Sequence, residues 1–147
     1  MRIISGKYRG MNLTQFQGKE IRPTADRVKE SLFNILSDRV SGAKVLDLFC
    51  GSGNLGIESL SRGAAHVSFN DVSKDSISVL KKNLARLKDE NYTVTALDYR
   101  QCLASGQKYD LIFIDPPYAS EAGISALEIF GASGLLSENA IAVFERD

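Results

Sequence analysis

Apolar residues along this chain recur with two different periods, and the period switches several times. Residues 44–49, 66–70, 92–96 and 109–114 are short apolar or β-branched runs, the pattern of strands buried in a sheet. Val28, Leu32, Ile35 and Leu36 recur at helical spacing, and so do Ile77, Leu80, Leu84 and Leu87. Thr24 suits the N-cap of the first of these helices, Asp26 its first turn and Ser41-Gly42 its end, while Ser73 suits the N-cap of the second. Ile124, Leu127 and Phe130 mark a further helix, and residues 141–144 open a fifth strand. Ahead of all this, Arg2-Ile3-Ile4 and Asn12-Leu13-Thr14 flank a turn containing Gly6 and Gly10 and read as a hairpin. Strands alternating with helices predict an α/β fold, a mostly parallel sheet with right-handed crossovers. At 147 residues the chain is expected to be one structural domain, with a hairpin segment at 1–20 and the α/β body at 21–147.

Charge adds an asymmetry to that picture. The chain is neutral, with 18 Lys/Arg against 18 Asp/Glu, yet residues 1–30 hold seven basic residues against three acids. A basic opening on an acidic body predicts one face turned toward a polyanion, with Arg2, Lys7, Arg9 and Arg22 as its candidates. Cys50 and Cys102 lack metal-ligand and disulfide spacing, so reduced thiols in a cytoplasmic protein are expected, with no metal. His66, the single histidine, reads as structural. No apolar run is long enough to predict a membrane span, and no apolar signal core follows Met1.

Candidate chemistry begins at the first strand–helix junction. Gly51-Ser52-Gly53-Asn54-Leu55-Gly56 fits G-x-G-x-x-G, and Asp71 lies 20 residues beyond Gly51. Such glycines admit a ligand close to the backbone, and the distal acid can hold ribose hydroxyls. Asp47 narrows the choice of ligand. A carboxylate there would repel a dinucleotide pyrophosphate but attract the sulfonium and ammonium of S-adenosylmethionine. Asp47 can also cap the loop by accepting backbone N–H bonds, a compatible role. Asp98, after the third strand, is placed to accept from an adenine amino group.

The fourth strand ends in Asp115-Pro116-Pro117-Tyr118. Ligands of open α/β sheets bind at strand carboxyl ends. Proline has no N–H, so its carbonyl is left to accept. The Asp115 carboxylate and the Pro116 carbonyl can hold both hydrogens of an exocyclic amine and aim its lone pair at a methyl group. Tyr118 can stack on a flipped base.

These motifs together resemble the RsmD family of 16S rRNA guanine-N2 methyltransferases. The resemblance runs through residues 1–10, Arg22-Pro23-Thr24, residues 26–34, residues 45–53 and residues 113–118. It implies a class I S-adenosylmethionine-dependent methyltransferase fold, Rossmann-like, with an N-terminal β-hairpin that touches RNA. It implies methylation of a guanine amine in 16S rRNA of an assembled or assembling small subunit; a monomer is expected, without the resemblance implying it. It places the cofactor at Asp47, Phe49, Gly51, Gly53, Asp71 and Asp98, with Thr24 and Arg22 bordering the site, and the target base at Asp115, Pro116 and Tyr118. Two departures stand out. The chain ends inside the fifth strand region, so the sheet is expected to lack the C-terminal strands of relatives. Asp71 stands where relatives often carry glutamate. A DNA amino-methyltransferase shares Asp115-Pro116-Pro117-Tyr118 but is disfavoured because no target-recognition insert is present. An RNA-binding module without turnover is a further alternative, and Asp47 disfavours an oxidoreductase.

Overall fold

A computed structural model of the chain describes residues 1–15, 25–116, 125 and 136–144. Arg22, Thr24, Pro117, Tyr118 and the helix expected around Ile124, Leu127 and Phe130 lie outside the described residues. After a short hairpin come α1 (Ala25–Leu36), β1 (Lys44–Asp47), α2 (Asn54–Ser61), β2 (His66–Asn70) and α3 (Lys74–Leu84). β3 (Tyr92–Thr95), α4 (Tyr99–Leu103), β4 (Tyr109–Ile114) and β5 (Leu136–Phe144) follow. The strands are parallel and lie in the order β3-β2-β1-β4-β5. Strand order therefore reverses beside β1, which opens a crevice at the carboxyl ends of β1 and β4.

Alternation within the strands sorts the core into two layers. Val45, Leu111 and Phe113 point with Val67 and Phe69 to the face covered by the hairpin and the first three helices, where Ile3, Leu13, Phe33, Leu60 and Leu80 pack. Leu46, Ile112 and Ile114 point to the other face, against Cys102 and Leu103 of α4. Both faces of β1 and β4 are covered, which explains why these two strands read as near-continuous apolar runs.

Strands 2 and 4 lie where the apolar runs place them. β1 and β3 are shorter than their apolar runs at the C-terminal side, ending at Asp47 and Thr95. β5 starts at Leu136, ahead of Ile141: Leu136 pairs with Tyr109, the register then shifts across the polar residues Ser137, Glu138 and Asn139, and regular pairing resumes at Leu111 with Ile141. α4 was not legible at all: five residues are too few to show a helical period.

Helix α1 corrects the expected face. Val28 and Ile35 are 49% and 81% exposed, lining a shallow apolar hollow with Arg27, Ser31 and Leu32. The buried positions are Lys29, Phe33 and Leu36, with Val40 beyond the helix. A lysine occupies the inward face because Glu58 of α2 is buried opposite it, 3.1 Å from its Nζ. A pattern that counts lysine as surface rotates the helix away from its actual seat. The helix also stops at Leu36 and passes through a 3-10 turn, Ser37–Arg39, before Gly42 turns the chain at φ +77°.

The hairpin is present with a minimal ladder. Arg2 and Asn12 form one antiparallel bridge, supported by Ile3 N–H to the Met11 carbonyl at 2.9 Å and Gly10 N–H to the Ile3 carbonyl at 2.8 Å. Its inward residues, Ile3 and Leu13, belong to the same core as the sheet. Gly6 explains how closely they approach: a Cβ there would lie 1.9 Å from the Ser61 carbonyl oxygen.

Candidate active site at the strand tips

Asp47 ends β1 and is 1% exposed. Its Oδ2 accepts from the Gly56 N–H at 3.0 Å, so the acid ties the strand to the first turn of α2. Burial pushes this carboxyl up to about 7, assisted by the charges of Asp115 and Asp71 and opposed by the Gly56 N–H. Between Asp47 and α2 the chain turns through Gly51 at φ +54° and Gly53 at φ +96°, conformations in which glycine has no steric penalty. Gly53 is also pressed from below, since a Cβ would meet the Leu80 methyl at 2.5 Å. Gly56 is the packing glycine: a Cβ there would enter the Phe69 ring at 2.2 Å.

Asp71 follows β2 and binds two backbone groups. Its Oδ2 accepts from the Gly51 N–H at 2.8 Å and its Oδ1 from the Ser73 N–H at 2.9 Å, while Ser73 caps α3 as expected. Asp98 caps α4, accepting from the Arg100 N–H at 3.0 Å, and is exposed. Phe49 is half-buried and meets the Tyr99 ring at 5.7 Å, with the Arg100 guanidinium over the far ring at 4.9 Å. Asp115 is exposed one residue past β4, with Pro116 half-buried behind it. Three carboxylates thus gather at the tips of β1, β2 and β4. This clustering of carboxylates suits a cation and disfavours a pyrophosphate.

The basic residues of the opening differ in availability. Arg9 is exposed at the hairpin turn. Lys7 is held 2.6 Å from Glu90, and Arg2 sits 3.6 Å from Asp26. Lys29, counted in the basic segment, faces inward at 2% exposure and presents nothing to a polyanion.

Three buried polar residues organise the site without having been singled out from sequence. Asn70 spans the strand tips: its amide donates to the Leu48 and Leu97 carbonyls at 3.3 and 2.9 Å, and accepts from Thr95 Oγ1 and the Leu97 N–H. Glu58 accepts from the Ile4 and Ser5 N–H groups at 2.9 and 3.1 Å and from Arg62 Nε at 2.8 Å, besides its pairing with Lys29. Asn83 of α3 links residue 14 to the glycine loop. The one signal available was a polar residue on an otherwise apolar helix face, as for Asn83 between Leu80 and Leu84.

A parallel sheet reversing beside β1, a glycine turn after it and an acid after β2 define a Rossmann-like fold of the class I methyltransferase type. The solved structure of the Escherichia coli protein yhhF matches with a TM-score of 0.88 and 36% identity, covering 97% of this chain and 78% of that chain. The likeness of fold reaches the Thermus thermophilus 16S rRNA N2 G1207 methyltransferase RsmC, solved with AdoMet and guanosine. There the TM-score is 0.67 at 23% identity, over 83% of this chain and 34% of that one. The chain belongs to the family described as Conserved hypothetical protein 95, whose model matches residues 1–147. A curated relative, Ribosomal RNA small subunit methyltransferase D of Haemophilus influenzae, is 36% identical over 152 residues, covering 100% of this chain and 79% of its own length.

Proposed function

We propose that this chain is an S-adenosylmethionine-dependent methyltransferase that modifies the exocyclic N2 of a guanine in the 16S rRNA of the small ribosomal subunit, in the cytoplasm. The observation that carries the reading is the buried Asp47, flanked by Asp71 and Asp115, in a crevice floored by the Gly51–Gly53 turn. That arrangement favours a cationic adenosine ligand, and the family's named relatives act on ribosomal RNA.

When bound, the donor supplies a methyl carbon on a positively charged sulfur. Asp71 accepts from ribose hydroxyls, while Asp47 holds the loop against α2 and lends negative charge to the site. The Asp115 carboxylate and the Pro116 carbonyl hold the two amine hydrogens, and Tyr118 stacks on the extruded base. A bound donor would supply the methyl group and depart as its neutral thioether, and Asp115 would take the proton given up by the amine nitrogen. Positioning supplies most of the gain, with charge stabilisation as the nitrogen becomes cationic.

The test is tritium transfer from labelled donor into undermodified small subunits, followed by nucleoside mass spectrometry. Label in N2-methylguanosine, with none in naked DNA, supports the proposal. Donor binding without transfer would leave an RNA-binding module. Asp115→Ala is expected to abolish transfer with donor affinity within a few-fold of wild type; full activity would remove Asp115 from the chemistry.

A further inference from the structure

Two buried side chains join the hairpin to opposite ends of the glycine loop. Asn83 lies fully buried on α3. It accepts from the Thr14 N–H at 2.9 Å and donates to the Thr14 carbonyl at 2.9 Å, gripping one residue in both directions as a strand would. Its amide donates again, at 2.9 Å, to the carbonyl of Ser52 between the two turn glycines. Lys29 does the equivalent work at the other end. Its Nζ donates to the Arg2 carbonyl at 2.5 Å and to Asn54 Oδ1, on the first residue of α2, at 2.7 Å. Each strand of the hairpin is therefore pinned to one flank of the loop, Thr14 to Ser52 and Arg2 to Asn54.

We propose that Asn83 and Lys29 are positioning residues that make donor binding and RNA binding depend on one another. The inference rests on the function proposed above. A ligand settling on the loop moves or stiffens the Ser52 carbonyl and Asn54. Through single side chains that change reaches the hairpin backbone, whose turn carries Arg9. Coupling requires that each ligand distinguish two arrangements of the shared element, and here the shared element is the pair of buried polar clamps. By linkage the effect is mutual: RNA tightens the donor by the same factor that the donor tightens RNA.

The measurement is the dissociation constant of S-adenosylhomocysteine with and without saturating undermodified small subunits, for wild type, Asn83→Leu and Lys29→Met. Methyl transfer by the wild type is measured first on the same subunits. Wild type is expected to bind about fivefold tighter in the presence of RNA, within the usual range of such couplings. The factor should fall toward one in both variants, each otherwise folded by its unfolding midpoint. A purely structural role would lower that midpoint and leave the ratio intact. If Asn83→Leu does not fold, Lys29→Met, acting at the other end of the loop, decides the matter. Transfer by the wild type with equal ratios in every folded protein overturns the coupling alone; absence of transfer overturns it together with the proposed function.

Discussion

At the scale of single residues, Asp47 has the most to reveal. Its folded value is raised above that of the unfolded chain, so it favours folding most at low pH, and that contribution is lost as pH rises through about 7. The carboxylates facing it are Asp71 and Asp115, and the Cys50 thiol beside it is itself pushed well up by burial and by Asp47. In calorimetry the ligand-free protein should melt several degrees lower at pH 8 than at pH 6, and Asp47→Asn should flatten that difference. Donor affinity should run the opposite way, rising through neutrality as Asp47 ionises; a flat profile in wild type would sever Asp47 from the ligand. Gly56→Ala offers a packing test. Its methyl would have to displace the Phe69 ring, so about 1–3 kcal/mol of stability should be lost in urea titration. Asp47, Asp71 and the turn glycines were legible because spacing alone carries them. Asn70 and Asn83 were not, because their partners, mostly backbone groups, lie 22 to 69 residues away, which no local pattern encodes.

At the scale of elements, the seam between the hairpin, α1 and α2 depends on Glu58 more than on Lys29. Removing Glu58 takes away the acceptor of two backbone N–H groups and of Arg62 Nε, and the counter-charge of Lys29. Removing Lys29 leaves Glu58 with three donors. Breaking a buried pair by deleting one partner typically costs about 3–5 kcal/mol, and Glu58→Leu should sit at or above that range while Lys29→Met falls below it. Equilibrium unfolding of both variants checks the order, and the reverse order would mean that the lysine is the anchor. The same seam explains why strands were easier to read than α1. β4 advertises burial on both faces through the apolar run at 111–114, whereas the inner face of α1 is part charge and its outer face is part Val28 and Ile35.

At the scale of the molecule, the charge asymmetry of the opening shrinks once its partners are counted. Lys29 is buried, Lys7 is paired with Glu90 and Arg2 with Asp26, whereas Arg9 is exposed at the hairpin turn, which makes it the hairpin cation to test. Arg9→Ala should lower the slope of log affinity for RNA against log salt by about one unit, and Lys7→Ala by less. Equal slopes in Arg9→Ala and wild type would place the RNA elsewhere. The overall α/β order followed from alternating periods, while the strand order, with β1 between β2 and β4, needed the assembled sheet.

The anchors of the first fifteen residues also set a schedule for synthesis. Ile4 waits for Glu58, 54 positions downstream; Thr14 waits for Asn83, 69 positions on; and Lys7 waits for Glu90, 83 positions on. Chains emerge from the ribosome N-terminus first, so the leading segment cannot complete its docking until Asn83 and Glu90 have been made. A nascent chain arrested before Asn83 should leave that segment open to protease, and one arrested well past Glu90 should shield it.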